Sequence, residues 1–263
     1  MPTLASGEPH RQRDVAESFG SDTRRYDRAR PGYPAAMVER ILAAAPGPDL
    51  LDVGIGTGIA ARQFRAAGCH VLGVDPDERM VAAARRDGFA AEVARFEDWA
   101  PAGRTFDAVV SGQTWHWVDP VAGAAQAARV LRPGGLLALF WNVFDAAPEV
   151  AAAFAAVHRE LTGPLARLWS APAIDGYAQL AAAAADGVRT AGGFGEPAQW
   201  RYEWERPYTR DEWLDQLPTQ GGYARLPDQE QATLLAGIGA AIDRLGGAFT
   251  MTYTTVVVVA RRD

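Results

Sequence analysis

The stretch of sequence that decides the fold is Leu50-Leu51-Asp52-Val53-Gly54-Ile55-Gly56-Thr57-Gly58. Its apolar start predicts a buried β-strand, and the pattern from Ile59 onward predicts a helix that begins directly after the glycines. A strand that runs through clustered glycines into a helix lets backbone amides approach a ligand at the helix N-terminus. We therefore expect residues 50–58 to form a ligand-binding loop at the edge of an α/β sheet.

The spacing of the glycines argues against a dinucleotide site. A pyrophosphate loop typically has the pattern G-x-G-x-x-G, and here Gly54 and Gly56 fit, whereas Ile59 stands at the third glycine position. Asp52 would repel a pyrophosphate but would attract an ammonium or sulfonium group. Asp75 follows Gly54 by 75 − 54 = 21 residues, which suits an acceptor for a ribose diol. The pattern favours a positively charged nucleoside without phosphates, a description that fits S-adenosylmethionine.

The remaining sequence alternates short apolar runs with helical stretches, which predicts an α/β fold with a Rossmann-like, doubly wound and mostly parallel sheet. We expect seven strands, with the last apolar run pairing antiparallel at the sheet edge. The predicted strands are 49–53, 70–74, 91–96, 106–111, 136–141, 199–208 and 249–260. The predicted segments are a disordered tail (1–15), N-terminal helices with the nucleoside-binding core (16–143), a helical cap insertion (144–195) and the C-terminal part of the sheet with its helices (196–263).

Composition excludes several classes of protein. All 26 basic residues are arginines, so a Schiff-base lysine and a phosphate-loop lysine are excluded. The 32 acidic residues give a net charge of −6, opposite to the usual balance of nucleic-acid-binding proteins. The single Cys69 excludes an internal disulfide, and the four histidines lack metal-ligand spacing. We expect a cytoplasmic monomer or homodimer with a small-molecule substrate and no metal, membrane or nucleic-acid partner.

Four segments, in order, carry a resemblance to a known family. The segment 52–58 resembles motif I of class I S-adenosylmethionine-dependent methyltransferases, and Asp75 resembles the acid that closes their second strand. The segments 26–34 and 113–117, and 132–135 as a turn before the fifth strand, are similar to those of the small-molecule subgroup that includes trans-aconitate methyltransferase-like (methyltransferase type 11) proteins. The likeness covers about residues 15–143 and the C-terminal edge strand. It implies a methyltransferase that passes a methyl group to an oxygen, carbon or nitrogen of a small acceptor, aromatic or carboxylate-bearing, by in-line displacement.

The resemblance also implies a set of contacts with S-adenosylmethionine. These cofactor-binding residues are Tyr26, Arg30, Asp52, Gly54, Gly56, Gly58, Asp75, Pro76, Phe96, Glu97, Asp98 and Gln113. Family members commonly read the adenine amino group with an acid near the end of the third strand, where this chain has Arg95. Two alternatives remain open: Glu97 or Asp98 takes that role, or backbone groups and Phe96 hold the adenine. Arg30 either faces the methionine carboxylate or pairs with a surface acid.

Aromatic side chains at the carboxyl edge of the sheet suit a sulfonium or a cationic substrate, because ring faces attract positive charge. The predicted substrate contacts are Phe19, Tyr33, Trp115, Trp117, Trp141, Asn142, Trp169 and Tyr177. His116 is the histidine placed where a general base could act, although a carboxylate or an electron-rich ring carbon needs no base. The alternatives are a protein that binds S-adenosylmethionine without methylating and an NAD-dependent oxidoreductase.

Overall fold

A computed structural model describes His10, Gly20, residues 22–161, 164–167, Trp169, 173–220 and 222–263. Phe19 and nearly all of the predicted tail lie outside these residues. Contacts divide the chain into two units. The glycine-loop unit comprises Gly32–Asn142, Ala178–Tyr202 and Thr255–Asp263. The aromatic unit comprises the described residues of Met1–Pro31, Val143–Tyr177 and Glu203–Thr254.

The sheet has seven strands in the order β3-β2-β1-β4-β5-β7-β6. Their bounds are Asp49–Val53 (β1), His70–Asp75 (β2), Ala90–Val93 (β3), Phe106–Gly112 (β4), Leu131–Ala146 (β5), Ala198–Thr209 (β6) and Ala248–Arg261 (β7). Strands β1 to β5 pair in parallel. Backbone hydrogen bonds joining Gly134 and Gly135 to Arg262 make β7 antiparallel to β5. The predicted doubly wound fold with antiparallel strands at one edge is therefore confirmed.

Three predicted strand boundaries were wrong: the end of the third strand and both ends of the fifth, which continues to Ala146 instead of ending at 141. The third strand ends at Val93, since Phe96 begins a short 3-10 turn over Phe96–Asp98. The fifth strand begins at Leu131, because the segment 132–135 is a bulge within the strand rather than a turn before it. Across that bulge the register passes from Phe106 opposite Leu131 to Ala108 opposite Leu136.

Helices fill the connections between the strands. Their bounds are Thr23–Ala29 (α1), Ala35–Ala44 (α2), Ile59–Ala66 (α3), Glu78–Arg86 (α4), Pro120–Val130 (α5), Pro148–His158 (α6), Ala173–Ala191 (α7), Arg210–Gln216 (α8) and Asp228–Arg244 (α9). The predicted cap segment contains α6 and α7, and its role as a substrate cap stays a prediction.

Apolar side chains of the glycine-loop unit fix the position of β1. Leu50 packs in a cluster with Phe64 of α3 and Phe140 of β5, and all three are buried. On the other face, Ile55 packs with Val81 of α4 and Phe89. Burial on both faces explains why the strands read as nearly continuous apolar runs.

The aromatic unit has a core of its own. Trp213 of α8 packs against Phe154 of α6 at 5.9 Å between ring centroids, and Tyr208 and Phe249 join them. His158 is completely buried there, donating from Nδ1 to the Phe154 carbonyl and accepting at Nε2 from the Tyr223 hydroxyl. No described helix combines the length and the apolar character needed to cross a membrane.

Candidate functional site

The glycine loop joins the end of β1 to the start of α3. Gly54, Gly56 and Gly58 all have positive φ angles, of 72°, 56° and 93°, which only glycine adopts without strain. A Cβ on Gly54 would lie 2.1 Å from Thr114 Cγ2, so the loop packs closely against the segment after β4. A Cβ on Gly56 would meet nothing closer than 4.0 Å. The loop is therefore closed at Gly54 and open at Gly56, where a ligand can approach the backbone.

Asp52 lies at the end of β1, directly behind the loop. Its side chain is 1% exposed, and its Oδ2 has no hydrogen-bond partner. Burial, helped by the nearby charge of Asp75, raises the pKa of Asp52 to about 7. A buried carboxylate oxygen without a partner is costly, which favours a ligand that brings positive charge or a donor.

Asp75 ends β2 and ties the loop to it. Its Oδ2 accepts from the Gly56 N–H and its Oδ1 from the Asp77 N–H, each at 2.9 Å. Burial raises the pKa of Asp75 to about 6. Asp77, and not Asp75, caps the N-terminus of helix α4. Pro76, between the two acids, is exposed. Each oxygen of Asp75 keeps a further lone pair, so the carboxylate can still accept from ribose hydroxyls.

The two acids after β3 are already engaged. Glu97 Oε1 accepts from the Asp119 N–H at 3.0 Å and lies 3.5 Å from Arg95 Nη2. The Asp98 side chain is 73% exposed and also pairs with Arg95. Phe96 is buried, with its ring 6.1 Å from that of Trp115. The geometry thus favours backbone groups and Phe96 over either acid as the contact with adenine.

Gln113 follows β4 in a strained conformation. Its φ of 57° is unusual for a residue other than glycine, and such strain is concentrated at functional sites. Its Nε2 donates to the Asn142 carbonyl at 3.2 Å, and its buried Oε1 has no partner. Thr57 Oγ1 is also buried without a partner. The ends of β1 and β4 and the loop thus offer three unpartnered oxygen atoms.

His116 lies in a short 3-10 turn after β4, and Trp141 lies within β5, directly after the residue that pairs with the end of β4. Trp141 Nε1 donates to His116 Nδ1 at 3.2 Å. Burial lowers the pKa of His116 to about 3, although its side chain keeps some exposed surface. A nitrogen that already accepts from an indole N–H, in a ring that resists protonation, argues against the general-base role predicted from the sequence.

The remaining predicted substrate contacts of the glycine-loop unit differ in how far they are exposed and bonded. Trp115 is buried against Phe96, whereas Trp117 is partly exposed. A Cβ on Gly112 would lie 2.7 Å from the Tyr33 hydroxyl, which places this hydroxyl at the end of β4. Asn142 is buried and donates to the Gly32 carbonyl while accepting from Thr255 Oγ1. Both ends of the Asn142 amide are therefore bonded, which favours a structural role over the predicted substrate contact.

Four predicted residues belong to the aromatic unit. Arg30 Nη2 donates to the Thr219 carbonyl at 2.6 Å, while its buried Nε has no partner, and its guanidinium lies 5.1 Å from the Tyr26 ring centroid. Trp169 packs against Phe144 and Phe154 at 5.3 and 5.0 Å between ring centroids, and Tyr177 is buried. These contacts make Trp169 part of the aromatic core and give no support to its predicted contact with substrate.

Sequence reasoning missed the part played by Thr114. Besides packing on Gly54, its Oγ1 donates to the Gly112 carbonyl at 3.1 Å. The signal available was its position beside Gln113, but a threonine in a loop is too common to single out. Within the described residues, no group of histidine, cysteine and acidic side chains is placed to hold a metal ion.

Comparisons with known proteins agree with this geometry. Residues 51–139 match the methyltransferase domain family. An uncharacterised methyltransferase of Mycobacterium tuberculosis (strain ATCC 25618 / H37Rv) is 40% identical over 136 residues, which are 51% of this chain and 56% of that protein. A trans-aconitate 2-methyltransferase of Mycolicibacterium gilvum is 41% identical over 93 residues, 35% of each chain. The chain thus spans about half the length, or less, of these two curated relatives.

Among solved structures, a proposed type II methyltransferase from Anaeromyxobacter dehalogenans has a TM-score of 0.64 and 27% identity. The alignment covers 88% of this chain and 97% of that one. Its extent shows that the likeness continues beyond the glycine loop, through the sheet and the helices. These likenesses are to methyltransferases, over residues 51–139 for the domain family and over most of the chain for the solved structure.

Proposed function

We propose that this protein transfers a methyl group from S-adenosylmethionine to an oxygen, carbon or nitrogen atom of a small molecule by in-line displacement. The observation that carries the proposal is the unpartnered Oδ2 of Asp52, buried behind a glycine loop that is open at Gly56. A neutral or anionic ligand would leave the buried carboxylate uncompensated, whereas a ligand with an ammonium and a sulfonium would compensate it.

The residues present fit such a ligand. Asp52 and the Gln113 Oε1 would accept from the ammonium group. The backbone of the three loop glycines would line the other side by shape, since their N–H groups already donate to Val74, Asp75 and Ile55. Asp75, followed by Pro76, would accept from the ribose hydroxyls. Phe96 and nearby backbone groups would hold the adenine.

Arg30 of the aromatic unit supports the binding of a carboxylate. Its Nε is buried without a partner, and among the described residues no ion pair with an acid involves it. A guanidinium presents several N–H donors in a rigid fork that matches a carboxylate. We propose that Arg30, with Tyr26 beside it, binds a carboxylate.

When bound, S-adenosylmethionine supplies a methyl group activated by a sulfonium. The transfer neutralises charge, so the protein accelerates it mainly by aligning the acceptor and excluding water. Among the predicted substrate contacts, the partly exposed Trp117 and the Tyr33 hydroxyl at the end of β4 are best placed to do so. The net charge of −6 favours a small acceptor over a nucleic acid.

Calorimetric titration with S-adenosylhomocysteine and with NAD tests the proposal. We expect S-adenosylhomocysteine to bind and NAD not to bind. Asp52→Asn should lower the affinity for S-adenosylhomocysteine at least about tenfold, which is a loss of about 1.4 kcal/mol in binding free energy. Asp49→Asn is the matched control, because Asp49 begins the same strand and pairs with Arg132 and His70 at its other end. Binding of NAD, or equal affinity in wild type and Asp52→Asn, would refute the proposal.

A further inference from the structure

The side chain of Thr114 fills the space that a side chain on Gly54 would occupy. A Cβ on Gly54 would lie 2.5 Å from both Cβ and Oγ1 of Thr114, which is closer than packed side chains come. The missing side chain of Gly54 therefore leaves a notch at the start of the glycine loop, and Thr114 packs into it. Both residues belong to the glycine-loop unit, where Gly54 directly follows β1 and Thr114 comes two residues after β4.

The two branches of the Thr114 side chain make different contacts. The methyl carbon Cγ2 is the atom that a Cβ on Gly54 would meet first. The hydroxyl Oγ1 lies 3.1 Å from the Gly112 carbonyl oxygen and 3.4 Å from the Gly54 carbonyl oxygen, and it can donate to one of them at a time. The Gly54 N–H in turn donates to the Val74 carbonyl at 2.7 Å. The start of the loop is thus held between β2 and the methyl group of Thr114.

Gln113, directly before Thr114, is held in a conformation that it would not adopt freely. Its φ of 57° lies in the left-handed region, which costs free energy for a residue with a side chain and persists only where neighbours enforce it. The Gln113 N–H donates to the Phe140 carbonyl at 2.8 Å, and its Nε2 donates to the Asn142 carbonyl at 3.2 Å. The packing of Thr114 on Gly54 restrains the chain on the other side of Gln113. In this conformation the Gln113 Oε1 is buried and has no partner.

We propose that Thr114 is a positioning residue for the methyl donor: its methyl group, packed on Gly54, keeps Gln113 in the conformation in which Oε1 accepts from the donor's ammonium group. This inference rests on the proposed function. An ammonium group has three N–H donors, and Asp52 Oδ2 and Gln113 Oε1 are buried acceptors without partners that it can satisfy. When the contact with Gly54 is lost, Gln113 can return to a negative φ and withdraw Oε1. Thr114 therefore acts through Gln113, and only on ligands that carry an ammonium group.

Two variants and two ligands test this inference. Thr114→Val keeps the methyl group and loses the hydroxyl, whereas Thr114→Ser keeps the hydroxyl and loses the methyl group. S-adenosylhomocysteine carries the ammonium group, whereas methylthioadenosine has the same adenine, ribose and sulfur without it. Affinities are measured by calorimetric titration, after each variant has shown a cooperative thermal transition.

We expect Thr114→Ser to lower the affinity for S-adenosylhomocysteine about tenfold and Thr114→Val to leave it within about threefold of the wild type. Both variants should bind methylthioadenosine within about twofold of the wild type. In a Gln113→Ala background, which has already lost Oε1, Thr114→Ser should lower the affinity for S-adenosylhomocysteine by at most about twofold more. Thr105→Ser, at an exposed residue before the other end of β4, is the control and should change neither affinity.

Several results would overturn the inference. These are an unchanged affinity for S-adenosylhomocysteine in Thr114→Ser, equal weakening by serine and valine, and equal weakening of both ligands by serine. A full tenfold effect of Thr114→Ser in the Gln113→Ala background would also overturn it, because Thr114 would then act independently of Gln113. All of these results leave binding of S-adenosylhomocysteine by the wild type intact. Failure of the wild type to bind that ligand would instead refute the proposed function, so the two failures are distinguishable.

Discussion

Asp52 holds its proton more tightly in the folded chain than in the unfolded one, where an aspartate has a pKa near 4. Burial raises the pKa of Asp52 to about 7. Its contribution to stability is thus fully present below about pH 4 and is lost as the pH rises through about 7. Without ligand, Asp52→Asn should increase the free energy of unfolding at pH 8 by about 2–4 kcal/mol, since each pKa unit is worth about 1.4 kcal/mol. At pH 4 the difference should vanish.

Asp49→Asn serves as the control, because it should change the free energy of unfolding in the opposite direction. Hydrogen bonds from His70 and Arg132 lower the pKa of Asp49, so this carboxylate stabilises the fold above about pH 4 and loses that effect below it. Thermal denaturation should show this variant slightly less stable than the wild type at pH 8 and at pH 4, with the difference vanishing only as the pH falls through the lowered pKa of Asp49. A less stable Asp52→Asn at pH 8 would contradict the account of its buried charge.

Replacing Asn142 tests whether this residue, predicted to contact the substrate, instead stabilises the fold. Asn142→Ala would remove the hydrogen bonds that Asn142 forms with the Gly32 carbonyl and with the buried Thr255 hydroxyl. Each loss costs about 1–3 kcal/mol, so urea denaturation should show a clear drop in stability. Affinity for S-adenosylhomocysteine in the folded variant should stay within about threefold. A variant of normal stability that binds acceptor poorly would restore the substrate role.

At the level of elements, the glycine loop allows a matched pair of variants. Gly56→Ala and Gly68→Ala both force alanine into positive φ, and neither new Cβ meets a close neighbour. Each should lower stability by about 1 kcal/mol, measured by chemical denaturation. Only Gly56→Ala should abolish S-adenosylhomocysteine binding, because its Cβ enters the open side of the loop, whereas Gly68 follows the far end of α3. Equal binding by both variants would place the ligand elsewhere.

The elements also show what sequence patterns can predict. The glycines after β1 and the acid ending β2 were placed correctly, because a strand, a tight turn and a helix leave local signals. The bulge at 132–135 was read as a turn, since Pro-Gly-Gly is common in both settings and only the register with β4 separates them. The hydrogen bond between Trp141 and His116 could not be predicted from the sequence, because it joins β5 to the turn after β4, between residues that lie 25 apart in the chain.

For the whole molecule, the predicted order of strands and helices gave the fold, as expected when both faces of a sheet are covered. The division of the chain was harder to predict. Residues of the aromatic unit come from three separate stretches of sequence. Such interleaving depends on long-range packing, here of Phe154, Trp213 and Phe249, and leaves no boundary signal in composition.

The most direct test of the account follows a labelled methyl group. The protein is incubated with S-adenosylmethionine carrying a carbon-13 methyl and with a panel of small carboxylates, phenols and amines, and each acceptor is analysed by mass spectrometry. We expect an acceptor to gain one labelled methyl group and S-adenosylhomocysteine to form in equal amount, in the wild type and, at subsaturating S-adenosylmethionine, about tenfold more slowly or less in Asp52→Asn. Tight binding of S-adenosylhomocysteine with no label on any acceptor would contradict the account.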